Sequence, residues 1–182
     1  MGYSEKDGKI FLEFAKSVIA SKFSRVPSVD MSKYSDKRGV FVTLKEDGEL
    51  RGCIGYPYPV LPLNVALEKA ARSAAFGDPR FPPVLAEEIP MLSFEVSVLT
   101  VPEEIQVDDR KDLPSMVNIG RDGLIAEMHG ISGLLLPIVA VEWNFDQKTF
   151  LDQVCVKAGL PKNSWMRKDC RIYRFETQVF EG

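Results

Sequence analysis

Hydrophobic positions along the chain recur with two different periods, which predict where helices and strands lie. Steps of three and four residues predict one helix over about 4–23 and a second over about 63–76. The second helix is preceded by Pro62, ended by Gly77 and lined mostly by alanine, so we expect it to pack closely against a sheet. A third helix is predicted over 146–158, with the initial aspartate as its N-cap.

Alternation of apolar and polar positions predicts the strands. The Asp47-Gly48 pair indicates a tight hairpin between the strand 40–44 and the segment 50–55. A second strong strand is predicted over 92–99. Another hairpin is expected where 117–119 and 124–128 flank a glycine-bounded turn.

Two later segments are also predicted to be extended. Residues 134–141 are almost wholly apolar but contain a proline, which favours a buried extended segment or a strand at a sheet edge. Alternation from Tyr173 to Val179 predicts one last strand. Because helices and strands mix without a strict β-α-β order, the sequence indicates an α+β fold with a mainly antiparallel sheet.

Composition limits the class of protein. A chain of 182 residues with 45% hydrophobic residues can bury a real core as one domain or two small ones. We expect no membrane span and no signal peptide, hence a cytoplasmic protein. Three cysteines without paired short spacing indicate reduced thiols and no metal site, and no cofactor is expected. A net charge of −3 argues against nucleic-acid binding.

The hexapeptide Leu-Arg-Gly-Cys-Ile-Gly at 50–55 is the strongest candidate site. Alternation along a strand places Arg51, Cys53 and Gly55 on one face, with Leu50, Gly52 and Ile54 on the core face. A neighbouring guanidinium favours the thiolate, and the glycines allow a ligand or another backbone to approach the sulfur. The opposing interpretation is that the cysteine is a small, half-buried packing residue.

Other candidate residues have equally open roles. Glu95 could pair with Arg51 or act as a general acid or base, or it could form a structural ion pair. Asp78 either bonds backbone N–H groups in a turn or lines a cleft together with Arg80. The only histidine, His129, is expected in a surface loop, and Cys155 is expected in the core. The two tryptophans, Trp143 and Trp165, are expected to pack against the protein, with stacking on a ligand as the alternative.

Six segments in order resemble the AMMECR family and together cover nearly the whole chain. They are 40–44, the hexapeptide, Phe-Gly-Asp-Pro-Arg-Phe-Pro-Pro at 76–83, Phe-Glu-Val-Ser-Val-Leu-Thr at 94–100, Gly-Leu-Leu-Leu-Pro at 133–137 and Lys-Ala-Gly-Leu-Pro at 157–161. The resemblance implies a single AMMECR domain over 1–182, with a larger sheet-and-helix part and a smaller β-rich subdomain, expected around 113–140. It also implies a pathway link to Memo-like and radical S-adenosylmethionine proteins.

Two classes of function remain open from the sequence. The first is a small enzyme or small-molecule-binding domain, with Arg51, Cys53 and Glu95 as catalytic candidates and Gly52, Gly55, Asp78 and Arg80 as binding candidates. Its substrate would be a compact anionic or carbonyl compound. The second is a non-catalytic protein-interaction module, in which the hexapeptide forms a structural or contact element and the thiol is incidental.

Overall fold

The computed structural model describes residues 2–182, which fall into two compact units. The first unit ends at Leu99 and takes in Gln178–Gly182, and the second unit is Thr100–Thr177. Each unit has its own four-stranded sheet and its own hydrophobic core. The predicted α+β class with antiparallel sheets is therefore confirmed.

Helices and strands alternate irregularly along the chain in both units. The α-helices are α1 (Glu5–Ala20), α2 (Leu63–Phe76), α3 (Pro137–Glu142) and α4 (Gln147–Lys157). The strands are β1 (Gly39–Glu46), β2 (Glu49–Tyr56), β3 (Leu92–Leu99), β4 (Glu103–Glu104), β5 (Gly123–Met128), β6 (Ile131–Leu135), β7 (Arg171–Phe175) and β8 (Thr177–Glu181). Three short 3₁₀ helices cover Ala86–Met91, Arg110–Met116 and Ser164–Met166. No helix among residues 2–182 is long and apolar enough to cross a membrane.

Helix α1 begins where its sequence signal predicts and ends earlier than its apolar pattern. Ser4 is the N-cap, and its hydroxyl accepts the Asp7 N–H while the Asp7 carboxylate accepts the Ser4 N–H. This reciprocal pair satisfies two donors that the first turn cannot bond internally. The helix ends at Ala20, so the predicted continuation to Phe23 is wrong.

The first unit packs α1 and α2 against one face of a sheet with strand order β2-β1-β3-β8. The helix predicted over 63–76 is confirmed as α2, and the alanines of its stripe are buried. The strand predicted over 92–99 is confirmed as β3. Strand β2 lies at one edge of the sheet, so the hexapeptide has a hydrogen-bonded strand neighbour on one side only.

The second unit packs α4 against a sheet with strand order β4-β7-β5-β6. Asp146 accepts the Thr149 N–H as N-cap of α4, as predicted, and Cys155 lies in the core, as predicted. Trp165 is also buried, whereas Trp143 is 70% exposed. The small β subdomain expected around 113–140 stays a prediction.

The hairpin predicted between 117–119 and 124–128 does not form, because strand β5 pairs with a different segment. Strand β5 pairs with β6 and not with 117–119, and the tight turn lies at His129 and Gly130, both with positive φ. The glycine-bounded segment before β5 is a loop instead, where the Asp122 carboxylate accepts the Asn118 N–H at 2.8 Å. Both segments have turn chemistry, and only the pairing of β5 distinguishes them.

Two segments that were predicted to be extended throughout are each interrupted at one residue. Residues 134–141 do not form one extended segment, because Pro137 begins α3, a position where a missing N–H costs nothing. The last strand is also divided, since Glu176 separates β7 from β8 and these strands belong to different sheets. The Glu176 N–H donates to Thr100 Oγ1 at 2.9 Å, so it leaves the strand ladder.

Candidate functional site

A β-bulge at Arg51 interrupts the hexapeptide. Lys45 pairs with Leu50 but Leu44 pairs with Gly52, so Arg51 has no residue opposite it. Directly opposed residues share a face, so Leu50 lies on the same face as Lys45 and is 42% exposed. The prediction that Leu50 reaches the core is therefore wrong, because the extra residue reverses the alternation before Gly52.

The two glycines of the hexapeptide admit neighbouring protein atoms. A Cβ built at Gly52 would lie 2.2 Å from the Ala74 carbonyl oxygen of α2. A Cβ built at Gly55 would lie 2.2 Å from Cδ1 of the Phe41 ring. Both glycines therefore serve close packing, one against a helix backbone and the other under an aromatic ring on the neighbouring strand.

Asp78 and Arg80 bond the free edge of β2 at Cys53. The Cys53 N–H donates to Asp78 Oδ2 at 2.9 Å, and its carbonyl accepts a hydrogen bond from Arg80 Nη2 at 3.0 Å. Asp78 also accepts the Arg80 N–H at 3.1 Å, so the bonding of backbone N–H groups in a turn, one of the two roles left open by the sequence, is present. The two side chains thus satisfy backbone groups that a further strand would otherwise bond.

Electrostatics hold Asp78 as a carboxylate. Its side chain is buried and pairs with Arg80 at 2.6 Å. The hydrogen bonds from the Arg80 guanidinium lower the pKa of Asp78 well below its usual range, and the Cys53 N–H adds to this effect. The Arg80 pKa is raised, chiefly by Asp78 and to a smaller extent by the Cys53 side chain. The guanidinium that bonds Cys53 therefore belongs to Arg80 and not to Arg51, and it bonds the backbone carbonyl.

Arg51 is bound by a partner that the sequence did not suggest. Its Nε donates to Glu88 Oε1 at 2.7 Å, its Nη2 donates to Glu88 Oε2 at 3.2 Å, and its Nη1 donates to the Pro82 carbonyl at 3.0 Å. Both side chains are largely buried, and the Arg51 hydrogen bonds lower the Glu88 pKa. Arg51 thus attaches the bulge to the short helix at Ala86–Met91.

Glu95 pairs with Lys45 and not with Arg51, so of the alternatives left open by the sequence the structural ion pair is the one observed. Lys45 Nζ lies 3.0 Å from Glu95 Oε2, and this hydrogen bond raises the Lys45 pKa. The Ser97 hydroxyl donates to Glu95 Oε1 at 3.3 Å. A cavity of about 340 Å³ beside this pair is lined by residues of β1, β3 and the end of the chain, namely Lys45, Ser93, Phe94, Glu95, Glu181 and Gly182.

Sheet register nevertheless brings Cys53 and Glu95 into one row. Thr43 pairs with Cys53 of β2 on one side and with Glu95 of β3 on the other. The Thr43 hydroxyl donates to Cys53 Sγ at 3.3 Å. The Cys53 side chain is only partly buried. We call Cys53, Thr43 and Glu95 the cross-strand row.

Thr43 and Glu88 are the two residues that sequence reasoning missed. Glu88 stands three residues after Leu85 and accepts the Leu85 N–H, which is a capping pattern, but its bond to Arg51 spans 37 positions. Thr43 would face Gly52 in a regular hairpin, and only the bulge moves it opposite Cys53. Neither contact has a local signal.

The remaining ionisable candidates lie elsewhere. His129 belongs to the turn between β5 and β6, where its Nε2 lies 3.1 Å from Asp169 Oδ2. Across residues 2–182, no group of three or more histidine, cysteine, aspartate or glutamate side chains is arranged to hold a metal ion. The site therefore consists of one thiol, one hydroxyl and a set of paired charges.

Comparison with known proteins identifies the class that this fold and site define. The AMMECR1 family model matches residues 12–180. A protein of Methanothermobacter thermautotrophicus is 48% identical over 97% of this chain and 95% of its own length. Protein MJ0810 of Methanocaldococcus jannaschii is 46% identical over 97% of this chain and 90% of its own length.

A solved structure shows the same architecture. The crystal structure of protein PH0010 from Pyrococcus horikoshii superposes with a TM-score of 0.84 at 41% identity. The match covers 98% of this chain and 92% of that chain. The chain belongs to the AMMECR1 family, as its sequence segments predict.

Proposed function

We propose that this protein is a non-catalytic binding module whose contact surface is the sheet face that carries the cross-strand row and Lys45. The observation that supports this proposal is that each acidic side chain of the site pairs with a cation. Asp78 pairs with Arg80, Glu88 with Arg51, and Glu95 with Lys45. A general base has to be free to accept a proton near the operating pH, and the lowered pKa values of Asp78 and Glu88 oppose that.

In this proposal the hexapeptide is a frame for the surface. Arg51, the two glycines and the Asp78–Arg80 pair hold β2 against α2 and against the loop that follows it. A rigid frame presents a contact face at low entropic cost on binding. The Cys53 thiol then contributes shape and a weak hydrogen bond and takes no part in covalent chemistry.

The decisive experiment is growth complementation in a strain that lacks the gene. Cys53→Ser retains the size of the side chain but weakens the nucleophile, so a binding module should rescue growth fully. Failure of a folded Cys53→Ser protein would refute the proposal as stated and would favour thiol chemistry.

A charge exchange tests the contact surface itself. The double variant Lys45→Glu with Glu95→Lys keeps the ion pair but reverses the charge pattern on the face, and we expect it to lose rescue while remaining folded. The matched control exchanges the exposed pair of α2, as Glu68→Arg with Arg72→Glu, and should rescue normally. Equal growth of both double variants would remove this face from the proposal.

The pathway link implied by the resemblance supplies the first partners to test. We propose a cytoplasmic partner among Memo-like and radical S-adenosylmethionine proteins, assayed by direct titration against the purified domain. Arg51→Ala is a poor probe here, because it leaves Glu88 buried without its cation and should destabilise the fold.

One observation favours a second candidate, a small thiol enzyme. The Thr43 hydroxyl donates to the half-buried Cys53 sulfur, and the Arg80 guanidinium donates to the carbonyl of the same residue. Both interactions hold in place the side chain that a thiol enzyme would use as its nucleophile. Loss of rescue in Cys53→Ser, together with loss in Thr43→Val, would support this candidate over the binding module.

A further inference from the structure

A groove in the second unit has the size and lining of a small-molecule site. Its volume is about 390 Å³, within the usual range for ligand pockets of roughly 300–1,000 Å³. Its lining comes from β6, α3, α4 and the segment between the two helices, and comprises Leu135, Val139, Trp143, Phe145, Gln153, Val156 and Lys157. The groove lies apart in sequence from every residue of the proposed contact surface.

Two aromatic rings form one wall of the groove. The Trp143 and Phe145 rings stack with centroids 6.4 Å apart and planes 25° apart. Trp143 is 70% exposed, and its indole N–H has no hydrogen-bond partner among the described residues. Trp165 differs in both respects, because it is buried and its indole N–H donates to Asp152 Oδ1 at 2.7 Å. A large exposed ring backed by a second ring can stack on a planar ligand.

The polar side chains of the groove lack partners among residues 2–182. Lys157 is the only charged residue in the lining. Across the part of the chain that the structure describes, Lys157 forms no ion pair and the Gln153 amide forms no hydrogen bond. Arginines of the same unit are used differently, since Arg121 and Arg171 each pair with carboxylates. The groove thus combines an apolar wall with one free cation and one free amide.

From these features we propose that the groove binds a small planar aromatic anion. The rings of Trp143 and Phe145 stack on the aromatic body, and the Lys157 ammonium pairs with a carboxylate, which the Gln153 amide also bonds. The free cation in a lining without acids selects an anion by charge complementarity. The volume and the single stacked wall select one compact ring system over an extended peptide.

A lysine in the last turn of a helix also offsets the helix dipole, and that role needs no ligand. The experiment therefore has to measure binding separately from stability. We propose to titrate the ¹⁵N-labelled full chain with 2-naphthoate and to follow the two tryptophan indole N–H signals. The Trp143 signal should shift in a saturable manner. The Trp165 signal should stay in place, because the Trp165 indole N–H is bonded to Asp152 inside the protein.

Three comparisons give the proposal its controls. The uncharged 2-naphthamide should bind at least tenfold more weakly than 2-naphthoate. Lys157→Gln should remove that preference, whereas Lys162→Gln, which changes an exposed lysine outside the groove, should preserve it. Trp143→Ala should weaken binding at least tenfold. Val141→Ala changes an exposed residue of α3 that does not line the groove, and it should leave binding unchanged.

Each contrary result identifies a different failure. Equal affinity for the naphthoate and the naphthamide would overturn the anion assignment. Parallel shifts of both indole signals would indicate unspecific binding and overturn the site. A Trp143 shift that depends on protein concentration without ligand, with a doubled mass in solution, would assign the groove to a second copy of the chain. No saturable shift up to the solubility limit of 2-naphthoate would reject a site for this class of ligand.

Discussion

The hexapeptide edge of the first unit and the aromatic groove of the second unit use polar side chains in opposite ways. Around Cys53, each charged side chain bonds another: Asp78 holds Arg80 and Glu88 holds Arg51. In the groove, Lys157 and Gln153 have apolar neighbours and no partner among the described residues. Paired charges stabilise one arrangement of the backbone, whereas unpaired groups beside an apolar wall remain available to a ligand. An unusual motif is therefore weaker evidence for a binding site than the absence of internal partners.

The largest effect should come from filling the space at Gly52. Gly52→Val places a side chain against the Ala74 carbonyl and should lower the free energy of unfolding by about 3 kcal/mol. Urea denaturation measures this change. Gly77→Ala is the control, because its Cβ would meet no atom closer than 3.4 Å, and we expect a change below about 1 kcal/mol. Equal losses in the two variants would contradict the packing role of Gly52.

Removing one charge from the Asp78–Arg80 pair should have the next largest effect. Asp78→Asn keeps the shape but loses charge-assisted bonds to Arg80 and to the Cys53 N–H, so we expect a loss of about 2 kcal/mol. Lys157→Gln in the groove should change stability by no more than about 0.5 kcal/mol. A larger loss for Lys157→Gln than for Asp78→Asn would reverse the comparison between the two regions.

Thiol reactivity compares the two units directly. Cys53 is partly exposed, whereas Cys155 and Cys170 are buried. Iodoacetamide should therefore alkylate Cys53 at least about tenfold faster in the folded protein at neutral pH, as followed by peptide mass spectrometry. Denatured protein provides the control, since all three thiols should then react at similar rates. Equal rates in the folded state would show that the Cys53 sulfur is not accessible.

The smallest predicted effect is the response of Asp78 to acid. Because the pKa of Asp78 is lower in the folded protein than in the unfolded chain, its contribution is complete above about pH 4 and declines as the pH falls. Between pH 7 and pH 3 this group should account for a loss of about 1 kcal/mol. Asp78→Asn should lose correspondingly less over that interval in urea denaturation. An unchanged pH dependence in the variant would contradict the lowered pKa.

Local signals predicted the first unit better than the second. The alanine stripe, Pro62 and Gly77 delimit α2, and Asp47-Gly48 places the β1–β2 hairpin, because each signal acts within a few residues. In the second unit the pairing of β5 was wrong, since two neighbouring segments both have turn chemistry. The division between β7 and β8 was missed as well, because alternation continues across Glu176 while the strands enter different sheets.

The candidate site shows the same limit. Sequence alternation placed Cys53 and Gly55 on one face and Gly52 on the other, and the sheet register agrees with this. Alternation could not predict the bulge at Arg51. It therefore placed the Leu50 side chain on the core face and the Arg51 side chain on the same face as the Cys53 thiol. The sequence did not identify Glu88 as the partner of Arg51 or Lys45 as the partner of Glu95 for a related reason, since a charged side chain can reach any opposite charge that the fold brings near.

The sequence alone determined the family, the α+β class and the main helices and strands, because these depend on periodicity, turn chemistry and ordered segments. The tertiary structure decided which polar groups are bound within the protein. That outcome rests on contacts between distant positions, such as Arg51 with Glu88 or Cys53 with Asp78, and no local pattern specifies them. The same reason explains the groove, since the sequence shows Trp143 and Lys157, but only packing places them in one lining without polar partners among the described residues.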